Sequence, residues 1–153
     1  MRIEIRPTRY GAAVAQRLIA ELMADLKARY GDADGTPISA IEFDPPDGGF
    51  FVAYVDGEPA GCGAWRSYAD TADVAEVKRV FVAETARGKG LARAIMSTLE
   101  EDARVHGRKR IILETGTGQP EAIALYEALG YERVPDFGHY RHEPGVRSFG
   151  KQL

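Results

Sequence analysis

The fold of this chain is decided by one stretch, which reads Val80-Phe81-Val82-Ala83-Glu84-Thr85-Ala86-Arg87-Gly88-Lys89-Gly90-Leu91-Ala92. A β-branched run leads into a loop that holds two glycines, and an apolar helical pattern begins at Leu91. Glycines let a backbone approach a ligand closely, and the free N–H groups at a helix start carry the positive end of the helix dipole. The stretch therefore predicts a strand, an anion-binding loop suited to a pyrophosphate, and a helix. Arg87 and Lys89 would add positive charge; the alternative is that Gly88 and Gly90 only make a tight turn.

Two known phosphate-binding motifs do not fit this loop. A P-loop requires Ser or Thr directly after its Lys, but Gly90 follows Lys89. A dinucleotide-binding fingerprint requires a third glycine, but after Gly88 and Gly90 that position is Arg93. The elements before the loop are hairpins instead of a βαβ unit, so a Rossmann-like nucleotide module is the most distant alternative.

Apolar spacing and turn residues divide the rest of the chain into further strands and helices. Asp56-Gly57 between two apolar runs indicates a hairpin, the polar residues 68–73 indicate the next turn, and residues 31–49 indicate a long loop. The order predicts an α+β fold with a mixed sheet. The predicted strands are residues 2–6, 50–55, 59–67, 74–82, 110–115, 131–134 and 147–153, and the predicted helices are residues 12–30, 88–106 and 120–129.

Composition limits the function classes that fit. The chain has 153 residues, a formal net charge of −3, and 44% hydrophobic and 28% charged residues, which is typical of one ordinary globular domain covering residues 1–153. The mild acidity argues against nucleic-acid binding, which normally needs a basic face. No apolar run is long enough for a membrane span, and charges at Arg2, Glu4 and Arg6 argue against a signal peptide. The single cysteine, Cys62, favours a reducing compartment, so we expect a cytoplasmic protein.

Two segments together resemble the GNAT N-acetyltransferase superfamily. Arg87-x-x-Gly90-x-Ala92 is similar to its Gln/Arg-x-x-Gly-x-Gly/Ala signature. Residues 122–131, Ala-Ile-Ala-Leu-Tyr-Glu-Ala-Leu-Gly-Tyr, resemble its second motif, a helix that bears a Tyr and ends in Leu-Gly-Phe/Tyr. The order of elements is similar as well, so the resemblance covers most of the chain.

The resemblance implies a mostly antiparallel sheet of about seven strands, flanked by helices, with a V-shaped splay between its fourth and fifth strands. It implies that acetyl-CoA is the cosubstrate and that its pantetheine arm lies in the splay. The backbone groups of Val80 and Val82 would pair with the acetyl and pantetheine amides, with Gln119 near the same arm. The pyrophosphate would be held by the loop and helix start, formed by Arg87, Gly88, Lys89, Gly90, Leu91, Ala92 and Arg93.

Acetyl transfer to an amine needs a base, an oxyanion donor and an acid for the leaving thiolate. On a regular strand Glu76, Lys78, Val80 and Val82 share one face, so Glu76 is predicted to project toward the acyl end as the base. The alternative for Glu76 is an ion pair with a neighbouring residue. The resemblance implies that Tyr126 is the acid, since a phenol of pKa about 10 can protonate a thiolate of pKa about 8.5; the alternative is simple packing. The oxyanion donor would be the backbone N–H of Val80.

Cys62 is not expected to be a nucleophile. It has no histidine tied to it and fits small-residue packing better than nucleophilic catalysis. His139 and His142 have a spacing that suits a metal, but a third ligand is not evident, so we predict no metal.

Two loops are predicted to form the acceptor pocket. The residues expected around a small cationic or amino-acid acceptor are Asp32, Asp34, Glu42 and Asp44 in the early loop, and Phe137, His139, Tyr140 and His142 in the late loop. Surface solvation explains the four acids equally well.

The sequence thus predicts an acetyl-CoA-dependent N-acetyltransferase that moves an acetyl group to the primary amine of a small molecule. The amine would attack directly in a ternary complex. The alternatives are a protein N-terminal or lysine acetyltransferase of the same fold and a non-catalytic acyl-CoA-binding sensor. Nucleic-acid and membrane partners are not expected, and a homodimer is left open.

Overall fold

A computed structural model describes residues 1–69 and 71–153 of the chain, so Asp70, in the predicted turn at residues 68–73, lies outside the described residues. The strands are β1 (Ile3–Pro7), β2 (Gly48–Val55), β3 (Glu58–Ser67), β4 (Val74–Val82), β5 (Arg110–Gly116), β6 (Glu132–Arg133) and β7 (Val146–Gln152). The helices are α1 (Ala13–Tyr30), α2 (Leu91–Val105) and α3 (Pro120–Ala128). The predicted order of elements is confirmed, although β6 is only two residues long and the early loop contains a short 3₁₀ turn at Ala40–Phe43. None of the described helices is long and apolar enough to span a bilayer.

The strands form one seven-stranded sheet in the order β1-β2-β3-β4-β5-β7-β6. All neighbouring strands run antiparallel except β4 and β5, which are parallel. That parallel pairing ends at Glu76 and Ile112, although β4 continues to Val82 and β5 to Gly116. The two strands therefore diverge, and the predicted α+β fold with a splay between the fourth and fifth strands is confirmed.

Helices cover both faces of the sheet. The face called here the α2 face packs Trp65 and Val77 against α2, through Leu91, Ile95 and Leu99. The opposite α1 face packs other strand residues against α1, and these are Phe50, Val52, Cys62, Ala64 and Phe81. Helix α2 lies so close to β3 that a Cβ on Gly63 would approach Ile95 to 2.5 Å. Helices α1 and α2 thus each pack on an apolar core of their own, on opposite faces of the sheet. The open end of the splay lies between these two helices.

A β-bulge interrupts β4. Cys62 of β3 pairs with Phe81 and Ala64 pairs with Lys78, so two residues of β4 oppose Gly63 alone. The bulge holds Arg79 at a φ of 63°, in the left-handed region. The regular alternation of the β4 side chains between the two faces of the sheet is therefore interrupted at this point.

The bulge corrects one prediction about faces. Val80 and Val82 pack on the α2 face, whereas Glu76 pairs with Arg66 beside Ala64, a residue of the α1 face. Glu76 therefore does not share a face with Val80 and Val82. The prediction was wrong because it assumed an unbroken period of two through the position of Arg79.

Candidate active site

A cleft of about 570 Å³ opens where β4 and β5 diverge. Its walls come from β4, the start of α2, the start of α3 and the second half of α1. It brings together most of the predicted site residues: Val80, Val82, Arg87, Gly88, Gly90, Leu91, Ala92, Arg93, Gln119 and Tyr126. Two predicted residues do not line it. Lys89 is exposed beside it, and Glu76 lies on the α1 face.

The edge of β4 presents backbone groups to this cleft. Ala83 donates its N–H to the Ala60 carbonyl of β3 at 2.8 Å, and antiparallel pairing alternates the direction of successive backbone groups. The amides of Val80 and Val82 therefore point away from β3, toward the space that β5 has left. The Val82 carbonyl accepts a hydrogen bond from Arg87 Nε at 3.1 Å, which ties the loop to the strand edge.

The glycine loop makes a second set of free donors. Gly88 and Gly90 have φ values of 77° and 79°, which glycine adopts without steric cost. Gly90 is the residue before α2 and provides no side-chain cap, and its carbonyl accepts the N–H of Ala94. Within the described part of the chain, no protein group accepts the N–H groups of residues 88–93. Such a helix start is an anion-binding geometry.

Ion pairs at the end of α1 border the mouth of the cleft. Asp25 pairs with Arg29 at 3.0 Å and with Arg87 of the glycine loop at 3.7 Å. Arg29 also pairs with Glu121, at the start of α3, at 2.5 Å. Helix α1 is thereby connected to both walls of the cleft.

Tyr126 lies on α3 and is buried in the α2-face core, close to Tyr131. Burial raises the pKa of Tyr126 to about 12, above the value of about 10 expected for a free phenol. The side chain therefore holds its proton at neutral pH and can donate a hydrogen bond into the cleft. A phenol of this pKa favours hydrogen bonding to a thiolate over complete proton transfer to it.

Charged residues gather on the α1 face, behind the splay. Glu76 is buried and accepts a hydrogen bond from Arg66 Nε at 3.0 Å, and Arg66 also reaches Glu42 at 3.1 Å. Glu76 thus forms an ion pair with a residue of a neighbouring strand, which is the alternative role predicted for it. Beside it, Asp34 pairs with both Lys78 and Arg79.

Sequence reasoning missed Glu114 of β5. Its Oε2 atom is buried without a hydrogen-bond partner among the described residues. Burial raises the pKa of Glu114, and this effect exceeds the opposing attraction of Lys78. The residue next to it in the chain, Leu113, packs in the α2-face core, so Glu114 points to the α1 face. The available signal was a single acid directly after the buried apolar run Ile111–Leu113.

The two loops predicted to form the acceptor pocket do meet. Gly35 of the early loop donates its N–H to the Tyr140 hydroxyl of the late loop at 2.6 Å. The ring of Tyr140 packs edge-on against His139 at 4.8 Å between centroids. Asp32 is exposed and takes no part in this contact. The meeting place lies on the α1 face, beside Asp34.

Cys62 is fully buried and its thiol contacts the Arg79 carbonyl at 3.2 Å. Burial raises the pKa of the thiol to about 12, so a reactive thiolate does not form at neutral pH. This agrees with the packing role favoured by the sequence.

The chain matches the model of the Acetyltransferase (GNAT) family over residues 15–131. It is 34% identical over 133 residues to an IAA acetyltransferase of Azospirillum brasilense, covering 84% of this chain and 86% of that protein. It is 36% identical over 126 residues to YjgM, an uncharacterised N-acetyltransferase of Escherichia coli strain K12, covering 76% and 75% of the two chains.

A solved structure from Klebsiella pneumoniae, assigned as an acyl-CoA N-acyltransferase, superposes with a TM-score of 0.84. It is 28% identical, and the match covers 99% of this chain and 97% of that one. The sequence and fold agree with the resemblance carried by the glycine loop and the Tyr126 helix. The chain therefore belongs to the GNAT family and is an N-acetyltransferase.

Proposed function

We propose that this enzyme transfers an acetyl group from acetyl-CoA to the primary amine of a small molecule. The proposal rests on one observation, which is that two sets of free backbone N–H donors lie along one cleft. The β4 edge offers the amides of Val80 and Val82, and the start of α2 offers the N–H groups of residues 88–93. A pantetheine arm needs amide partners in an extended geometry, and a pyrophosphate needs N–H groups at a helix start.

Bound acetyl-CoA would supply an activated acyl group whose carbonyl oxygen gains negative charge during attack. The Val80 N–H is the donor placed on the cleft side of β4, and a fixed donor is most useful where that charge develops. Tyr126, protonated by virtue of its raised pKa, would stabilise the departing thiolate with a hydrogen bond. We assign Gln119, whose Oε1 accepts from Tyr30 at 3.1 Å, to the pantetheine arm.

The acceptor amine must lose a proton to attack, and the carboxylates of the α1 face are the candidates to accept it. Glu76 is held by Arg66 Nε at 3.0 Å. Glu114, on β5, is half-buried, and its buried Oε2 atom has no hydrogen-bond partner among the described residues, which leaves that oxygen able to accept a proton from a ligand. Direct attack is favoured over a covalent enzyme intermediate because the described residues lining the cleft include no Cys, Ser or His.

The acceptor is proposed to be small because two loops meet on its side of the splay. The Gly35–Tyr140 hydrogen bond joins them, and Asp34, Glu76 and Glu114 lie close enough for their charges to interact. Lys78, Arg79 and Arg66 offset the charges of Asp34 and Glu76. Glu114 is therefore the carboxylate left to attract a cationic amine. Similarity to an IAA acetyltransferase also supports a small acceptor.

A thiol-release assay with acetyl-CoA tests the proposal. The purified protein is offered amino acids, polyamines, aminoglycosides and N-terminal peptides, and free CoA thiol is measured together with acceptor mass. We expect release with at least one small amine. Acetylation of peptides or proteins alone would establish the protein acetyltransferase alternative. Saturable acetyl-CoA binding without release for any amine would support the sensor, and no binding would overturn the proposal.

A further inference from the structure

The β4 bulge places a costly backbone conformation beside the cleft. Arg79 has a φ of 63°, a region that residues with a Cβ avoid. Such a conformation persists in a non-glycine residue only when the surrounding structure imposes it. At this bulge the next residue, Val80, turns its side chain to the α2 face and its amide to the cleft.

The side chain of Arg79 is held by Asp34 in the early loop. The Arg79 guanidinium, 6% exposed, forms an ion pair and hydrogen bond with the Asp34 carboxylate. Lys78, the preceding residue, approaches the same carboxylate to 3.4 Å. Two successive side chains of the bulged strand thus converge on one acid.

Asp34 is itself held in place. Its Oδ1 accepts hydrogen bonds from Thr36 N–H at 2.9 Å and from Thr36 Oγ at 2.6 Å. Burial opposes its ionisation, but the charges of Lys78 and Arg79 and the Thr36 hydrogen bonds keep the pKa of Asp34 well below its ordinary value. Gly35, the next residue, donates to the Tyr140 hydroxyl at 2.6 Å. The Asp34 carboxylate that pairs with Arg79 is therefore fixed in position.

We propose that Asp34 is a positioning residue: through Arg79, its carboxylate holds the β4 bulge that presents the Val80 amide to the cleft. The inference rests on the proposed function, because the role of that amide is to hydrogen-bond the acyl oxygen during transfer. It also links the acceptor side of the splay to the acyl side through one ion pair. Asp34 acts on the backbone, without contact with the reacting atoms.

The test uses the full chain, with kcat, KM for each substrate and thermal stability measured in parallel. Asp34→Asn keeps the side-chain volume but removes the charge that restrains Arg79, so kcat is expected to fall about tenfold or more, with a small change in acetyl-CoA affinity. Arg79→Gly removes the Cβ that makes the conformation costly and should keep kcat within about threefold of the starting enzyme. Arg79→Ala, which keeps the Cβ and loses the ion pair, should be as impaired as Asp34→Asn.

The decisive variant combines Asp34→Asn with Arg79→Gly. Because glycine needs no restraint at this φ, the double variant should recover most of the kcat that Asp34→Asn loses. Glu58→Gln, an exposed acid at the start of β3, is the matched control and should behave like the starting enzyme. A kcat unchanged in Asp34→Asn, or a double variant no better than Asp34→Asn, would overturn the proposal. If Asp34 binds the acceptor, KM for the acceptor rises and the glycine gives no rescue. A starting enzyme that releases no thiol would instead refute the proposed function.

Discussion

Tyr30 donates a hydrogen bond from its hydroxyl to Gln119 Oε1 at 3.1 Å, joining the last residue of α1 to the residue before α3. Its ring lies against the loop that follows β5. A Cβ built on Gly116 would stand 2.6 Å from the Tyr30 hydroxyl, and one built on Gly118 would stand 2.5 Å from its ring. The two glycines thus permit a close approach, and Tyr30 fixes the side chain of Gln119 at the cleft.

Tyr30→Phe should weaken acetyl-CoA binding by removing this restraint on Gln119. A net hydrogen bond contributes about 0.5–1.5 kcal/mol, so Kd for acetyl-CoA should rise roughly 2–12-fold with little change in kcat. Isothermal titration calorimetry measures the affinity. Tyr54→Phe, on β2, is the control and should bind normally. An unchanged Kd for Tyr30→Phe would mean that Gln119 is not held for the cosubstrate.

Gly90→Glu should abolish CoA binding. The backbone at Gly90 has a φ of 79° and borders the cleft, so a glutamate introduces both backbone strain and a negative charge where a pyrophosphate is proposed to lie. Gly107→Glu separates the two effects, because Gly107 follows the other end of α2 with a φ of 84° and equally open surroundings. Both variants should lose about 1 kcal/mol or more of stability. Only Gly90→Glu should lose affinity, and equal affinities in the two would refute the phosphate-loop assignment.

Local patterns in the sequence were enough to predict most of the fold. Three of these patterns depend only on residues close together in the chain and can therefore be located in the sequence. They are the Asp56-Gly57 turn, the two glycines before Leu91 and the apolar spacing of the helices. The splay between the fourth and fifth strands followed from the family resemblance carried by the glycine loop. The structure confirms it, since the parallel pairing of β4 and β5 ends at Glu76.

The features that sequence reasoning missed depend on residues far apart in the chain. Arginine gives no local signal for positive φ, so the bulge at Arg79 is visible only when β4 is aligned with Gly63 of β3. The same register error misplaced Glu76. Glu114 becomes notable only when the splay leaves its Oε2 atom buried and without a partner among the described residues.

Tyr126→Phe should lower kcat with little change in CoA affinity. Loss of the hydrogen-bond donor to the leaving thiolate is expected to lower kcat roughly 10²-fold, which is the lower end of the range for acid catalysis. The reason is that the side chain offers a hydrogen bond more readily than it gives up its proton. Because burial raises the pKa of Tyr126 to about 12, its ionisation should not limit kcat below about pH 10. A pH profile of kcat checks both statements. Turnover equal to that of the unmodified enzyme would remove Tyr126 from the reaction.

Glu114→Gln should make the protein more stable and less active. Burial raises the pKa of Glu114 in the folded state, so the folded protein holds this proton more tightly than the unfolded chain does. The acid therefore costs no stability below the unfolded pKa of about 4.3, and it costs increasingly more as the pH rises through the folded-state value.

The variant should consequently have a higher Tm than the starting enzyme at pH 7, and the difference should disappear near pH 4. Glu127→Gln, an exposed acid on α3, should show no such pH-dependent gain. If Glu114 also accepts the proton of the amine, kcat/KM for the acceptor falls in Glu114→Gln while acetyl-CoA affinity is kept. A gain in Tm with full activity would leave proton acceptance to Glu76, and a loss of Tm at pH 7 would show that the buried carboxylate stabilises the fold.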